Sequence, residues 1–105
     1  MKTMESKLKE IIDHYGVKNQ QKKLAEEVFE LQEAIKDYQD FDEANSMYDG
    51  DLYMIPKRRE CIIEEMADVF VLLNQFIVFY KITDEELNNI IKYKVNRQLE
   101  RINKE

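Results

Sequence analysis

An all-α fold is what this sequence predicts, on three observations. Glycine and proline, which punctuate chains rich in turns, number only two and one in 105 residues. Apolar side chains recur at helical rather than alternating spacing in four successive segments. Start and stop signals for helices fall between those segments. The expected architecture is a four-helix bundle-type protomer, a single domain over residues 1–105.

Helix one is expected from about Thr3 to Tyr15, with Leu8, Ile11, Ile12 and Tyr15 as its apolar stripe and Gly16 as its stop. Helix two opens near Asn19, a suitable N-cap, and carries Leu24, Val28, Leu31, Ile35 and Tyr38. Its end falls between Tyr38 and Met47. The segment Asp40–Ile55 is acidic and aromatic, has a turn signal at Asp49-Gly50, and is long for a connection inside a bundle. It reads equally as a lid over a ligand or as an insertion.

Pro56 suits the first turn of helix three, which continues to about Lys81. From Met66 to Tyr80 this helix is apolar nearly all round, so it needs cover on several sides. Three companion helices from one short chain do not supply that cover. The expectation is therefore an intertwined homo-oligomer. Thr83-Asp84-Glu85-Glu86 is a capping box opening helix four, whose stripe is Leu87, Ile91, Val95, Leu99 and Ile102.

Composition removes several classes. Hydrophobic residues make up 44% of the chain, too many for a disordered tail even with 36% charged. A net charge of −6 disfavours a nucleic-acid surface, although local lysines and a metal still permit an anionic small ligand. Cys61 is the single cysteine, which excludes a disulfide framework and a cysteine-based zinc site. Met1–Lys9 is polar and charged, unlike a signal peptide. Met66–Tyr80, interrupted by Asp68, Asn74 and Gln75, is too short to span a bilayer. A cytoplasmic location without membrane contact is expected.

Chemistry is carried by two acidic clusters set in apolar helical runs: Glu26-Glu27-Val28-Phe29-Glu30 and Glu64-Glu65-Met66-Ala67-Asp68. At about 100° per residue, Glu27 and Glu30 share a face, as do Glu65 and Asp68. Carboxylates gathered at the edge of a dry core raise each other's pKa unless a cation sits among them. If helices two and three pack antiparallel, the pairs converge, and four oxygen donors suffice for one Mg²⁺ completed by water. A di-iron site, the helical-bundle rival, needs Glu-x-x-His pairs; the single histidine, His14, has no glutamate three residues before it. Lys92 and Asn96 lie one turn apart beside the stripe of helix four. They read either as a clasp for phosphate oxygens or as part of a basic last helix complementing its dipole. Tyr48 and Tyr53 are candidates for stacking on a base.

Lys23-Leu24-Ala25-Glu26-Glu27-Val28-Phe29-Glu30-Leu31, followed by Glu65-Met66-Ala67-Asp68 and the apolar run Val69–Leu73, resembles the EExxE…ExxD signature of the all-α nucleoside triphosphate pyrophosphohydrolases, the MazG-like group. The resemblance covers about Gln20 to Arg101. It implies a homodimer or dimer of dimers that uses Mg²⁺, with Mn²⁺ as an alternative, to split a (deoxy)nucleoside triphosphate into monophosphate and pyrophosphate. It implies Glu27, Glu30, Glu65 and Asp68 as metal ligands, Glu26 as the group that orients or activates water, and Lys92 with Asn96 as the basic element of the last helix. The related phosphoribosyl-ATP pyrophosphatases have glycine in Lys-x-Gly-Glu-Glu where this chain has Ala25. The alternative to catalysis is a helical dimer that serves as a nucleotide-binding or protein-interaction module.

Overall fold

A computed structural model describes residues 1–47 and 54–105, with side chains outside 42–56. Four helices run in order: α1 (Met4–Tyr15), α2 (Val17–Met47), α3 (Met54–Phe79) and α4 (Asp84–Asn103). The all-α expectation holds. Among the described residues, no helix is long and apolar enough to cross a membrane.

Thr3 caps α1: its hydroxyl oxygen accepts the Ser6 N–H at 3.1 Å, and the Ser6 hydroxyl donates back to the Thr3 carbonyl at 3.0 Å. Leu8 and Ile12 are buried, whereas Ile11 and Tyr15 of the expected stripe stay exposed. α2 begins at Val17, not at Asn19, because one residue makes the whole turn. Gly16, at φ +87°, donates its N–H to the Ile12 carbonyl (2.8 Å) and accepts the Gln20 N–H (3.1 Å), closing one helix and opening the next. Asn19 does not cap α2. Its amide reaches back to the Tyr15 carbonyl at 2.7 Å and satisfies the end of α1 instead.

α2 extends through Met47, so the first half of the expected Asp40–Ile55 connection is helical. Tyr48, Asp49, Gly50 and Tyr53 lie outside the described residues. α3 opens at Met54, which keeps Pro56 within its first turn. It stops in a full Schellman motif: Ile82 N–H bonds the Ile77 carbonyl (3.0 Å) and Lys81 N–H bonds the Val78 carbonyl (3.2 Å). Lys81, at φ 56°, occupies the left-handed position that glycine usually takes.

α1, α2 and α3 pack on one another, with the most extensive contact between α2 and α3. Their core is small: Leu8, Ile12, Val69 and Leu72 are its buried apolar members, joined by buried Gln20, Glu27 and Gln75. Among the described residues α4 contacts none of the other helices, and every residue in it is exposed. Its Thr83–Glu86 capping box forms as expected, with Glu86 N–H on the Thr83 hydroxyl (3.2 Å) and Thr83 N–H on the Glu86 carboxylate (2.9 Å). Among the described residues the stripe of α4 has no partner, so in place of the expected four-helix bundle the chain packs three helices together and leaves the fourth apart.

Candidate metal centre

α2 and α3 run antiparallel in one register. Ten residues separate Gln20 from Glu30 on α2, and ten separate Gln75 from Glu65 on α3. Gln20 meets Gln75 at 2.7 Å, and Glu30 meets Glu65 at the other end. The geometry that the two clusters needed in order to converge is present.

Carboxylate oxygens of Glu27, Glu30 and Glu65 lie within 4.8 Å of one another. Glu27 is buried, its side chain only 8% exposed, and Glu65 is half-buried. With all three carboxyls ionised, Glu27 Oε2 and Glu65 Oε2 are both shielded from solvent without a hydrogen-bond partner. Orphaned buried carboxylate oxygens are costly, and a cation relieves that cost. Lys23, one turn before Glu27, supplies part of the relief: its Nζ lies 3.1 Å from Glu27 and 3.9 Å from Glu26. Hydrogen bonding to Glu27, and then the Glu27 charge, hold the Lys23 ammonium above its ordinary pKa. Glu30 moves in the same direction for the opposite reason. Its hydrogen bond to Glu27 and the repulsion between the two charges push its carboxyl above the ordinary range, with desolvation and Glu65 adding to the effect.

The donors present fit a hard divalent ion. All are carboxylate oxygens, two of them lack partners, and two rigid helices hold them. Oxygens sharing one Mg²⁺ lie at most about 4.2 Å apart, so a spread of 4.8 Å is within a small side-chain adjustment of that shell.

Asp68 is not in this cluster. It stands one turn beyond Glu65, is exposed, and lines a groove of about 780 Å³ together with Glu26, Glu27, Lys23, Gln20 and Gln75. The three-residue step from Glu65 leaves Asp68 about 60° short of a full turn, on the groove side of the helix rather than the Glu30 side. Glu30 and Glu65 face a separate recess of about 310 Å³ beside Arg58. The Arg58 guanidinium rests 4.4 Å over the Phe41 ring. Glu27 lines the groove, while its carboxylate lies within 4.8 Å of the two acids that line the smaller recess. Glu26 lines the groove with its carboxylate 3.9 Å from Lys23 Nζ.

Lys92 and Asn96 are not at the centre within one protomer. They sit on α4, which leaves the acids to α2 and α3. Sequence reasoning read Gln75 only as an interruption of an apolar run, and so missed the buried Gln20–Gln75 bond. A signal for it existed: each glutamine lies seven residues, two helical turns, from an acid of its own cluster.

Comparisons with protein-family profiles, with characterised proteins and with solved structures found no match to this chain.

Proposed function

We propose that this chain is a Mg²⁺-dependent nucleoside triphosphate pyrophosphohydrolase that works as a homo-oligomer. The observation that carries the reading is the Glu27–Glu30–Glu65 convergence, with its two buried, unpartnered oxygens, at the edge of an open groove. These three side chains would hold the ion, and Asp68 lies one turn away to contribute from the groove side. The ion supplies charge that draws electron density from the phosphates and acidifies the attacking water.

The remaining steps belong to side chains. Glu26 accepts the proton of a water whose oxygen attacks the α-phosphorus. The bond from that phosphorus to the bridging oxygen breaks, and pyrophosphate leaves with the electron pair. Lys23, half-exposed on the groove wall and ion-paired with Glu27, would turn its ammonium to phosphate oxygens once a divalent ion takes over Glu27. Lys92 and Asn96 reach such a site only if α4 of one copy lies across another. The uncovered stripe of α4 and the uncovered face of α3 support that assembly.

The non-catalytic alternative draws on the same uncovered faces, which suit an association module equally well. Two measurements separate the readings. Purified protein with Mg²⁺ and a panel of nucleoside triphosphates should release pyrophosphate and monophosphate, and Glu27→Gln should lower the rate by at least about a hundredfold while preserving the helical spectrum. Undiminished turnover in Glu27→Gln would remove the metal assignment. An association module would release no pyrophosphate and would gain no thermal stability from Mg²⁺.

A further inference from the structure

The groove has two ends of different chemistry, and both are laid out along the same pair of helices. One end holds Lys23, Glu26, Glu27 and Asp68. The other, about 10 Å from Glu27 and Asp68 at two turns of helix, holds the Gln20–Gln75 pair, with Tyr15 also on the groove wall. The amide pair itself is uncharged, and Lys22 also lines the groove wall. Gln75 is only 2% exposed and Gln20 8%, and both contribute to the groove wall. The single Gln20 Nε2–Gln75 Oε1 bond leaves a carbonyl oxygen on one amide and an NH₂ on the other. Flipping both amides exchanges the roles and still leaves one acceptor beside one donor. Tyr15, 57% exposed, adds an aromatic face.

We propose that the Gln20–Gln75 pair is a base-reading subsite, which takes the hydrogen-bonding edge of a nucleobase whose phosphates lie at the acidic end. A free acceptor on one amide and a free donor on the other can meet a base edge that offers the reverse pair, the two groups that a single glutamine amide supplies in base readout elsewhere. A planar heterocycle also suits the tyrosine face. The two-turn separation is comparable with the reach of a nucleoside from its base edge to its first phosphate. This assignment rests on the nucleotide reading of the acidic centre, yet it can fail separately from it.

The test uses full-length protein with Mg²⁺, the four natural deoxynucleoside triphosphates, and a triphosphate bearing difluorotoluene, which keeps the shape of thymine without its hydrogen-bonding edge. The parent should prefer its best natural substrate over the isostere by about tenfold or more in kcat/KM, on the scale of one to two hydrogen bonds. Gln75→Met, of similar length without the amide, should collapse that preference toward unity through KM. Gln20→Met repeats the measurement at the less buried partner should the first variant fail to fold. A preference that survives both substitutions, or a parent with none, overturns the subsite. Should no substrate be turned over, calorimetry with an α,β-imido deoxynucleoside triphosphate and the matching difluorotoluene analogue decides. Base-selective binding lost in Gln75→Met upholds the subsite while the hydrolytic reading falls, and binding without base selectivity sinks the subsite.

Discussion

At the scale of single residues, Glu30 shows how carboxylates crowded between neighbouring helices change one another's protonation. Its carboxyl is held above the ordinary range chiefly by Glu27, so the folded, metal-free protein keeps a proton that the unfolded chain has already released. Between the unfolded and the raised folded pKa the native state binds more protons, so stability falls as pH rises through that window. Chelator-treated protein should therefore melt at progressively lower temperature as pH climbs above the usual glutamate range. Mg²⁺ should abolish the decline by replacing the proton, and Glu30→Gln should flatten it. Melting curves recorded across pH with and without chelator check all three; a flat profile in the metal-free parent would separate Glu30 from its neighbours.

Residue spacing made Glu27, Glu30 and Glu65 legible before any coordinates, because helical periodicity and an antiparallel pairing are enough to bring them together. Asp68 shows the resolution limit of that reasoning. Residues three apart share a face only to within about 60°, and here that angle separates a member of the tight cluster from a wall of the groove. The ion pair of Lys23 with Glu27 is the ordinary product of four-residue spacing. What no spacing rule supplies is the burial of Glu27 that gives the pair its weight.

Elements were legible where local chemistry decides them and displaced where one residue could serve two helices. Thr3 and the Thr83–Glu86 box start α1 and α4 as their sequences specify. Asn19 has the chemistry of an N-cap, but Gly16 already turns the chain, so the amide is used on the preceding carbonyl. The end of α3 offers a clean test of backbone strain. Lys81 holds the left-handed conformation within a Schellman motif although a side chain disfavours it there. Lys81→Gly should stabilise the protein by about 0.5–1 kcal/mol, the relief of that strain exceeding the added freedom of the unfolded chain. Urea unfolding at constant m-value is the appropriate measurement. A destabilised variant would mean that the lysine side chain makes a contact worth more than the strain.

For the molecule as a whole, size and shape disagree. A compact chain of 105 residues has a radius of gyration of about 13 Å, and this one measures 18.1 Å. Phe70, Val71 and Leu73 on α3 and Ile91, Val95 and Leu99 on α4 are each 40% exposed or more. The apolar character of Met66–Tyr80 on nearly every face announced this deficit of cover, whereas the detachment of α4 had no local signal, since its stripe would look the same packed against its own chain. Introducing Ile91→Glu together with Val95→Glu should convert an oligomer to monomers in sedimentation velocity. Circular dichroism should still report the helices of the three-helix layer. Wild-type protein that sediments as a monomer at micromolar concentration would defeat the assembly.

The common register of α2 and α3 has a consequence for how such a groove changes over time. With its charged and amide ends on the same two rods, the distance between them is graduated by the helical pitch. Shifting a recognition side chain by one position swings it about 100° away from the groove, so usable lengths come in increments of three or four residues, about 5 Å each. Descendants of this scaffold would therefore acquire longer or shorter cargoes by discrete jumps rather than by gradual drift.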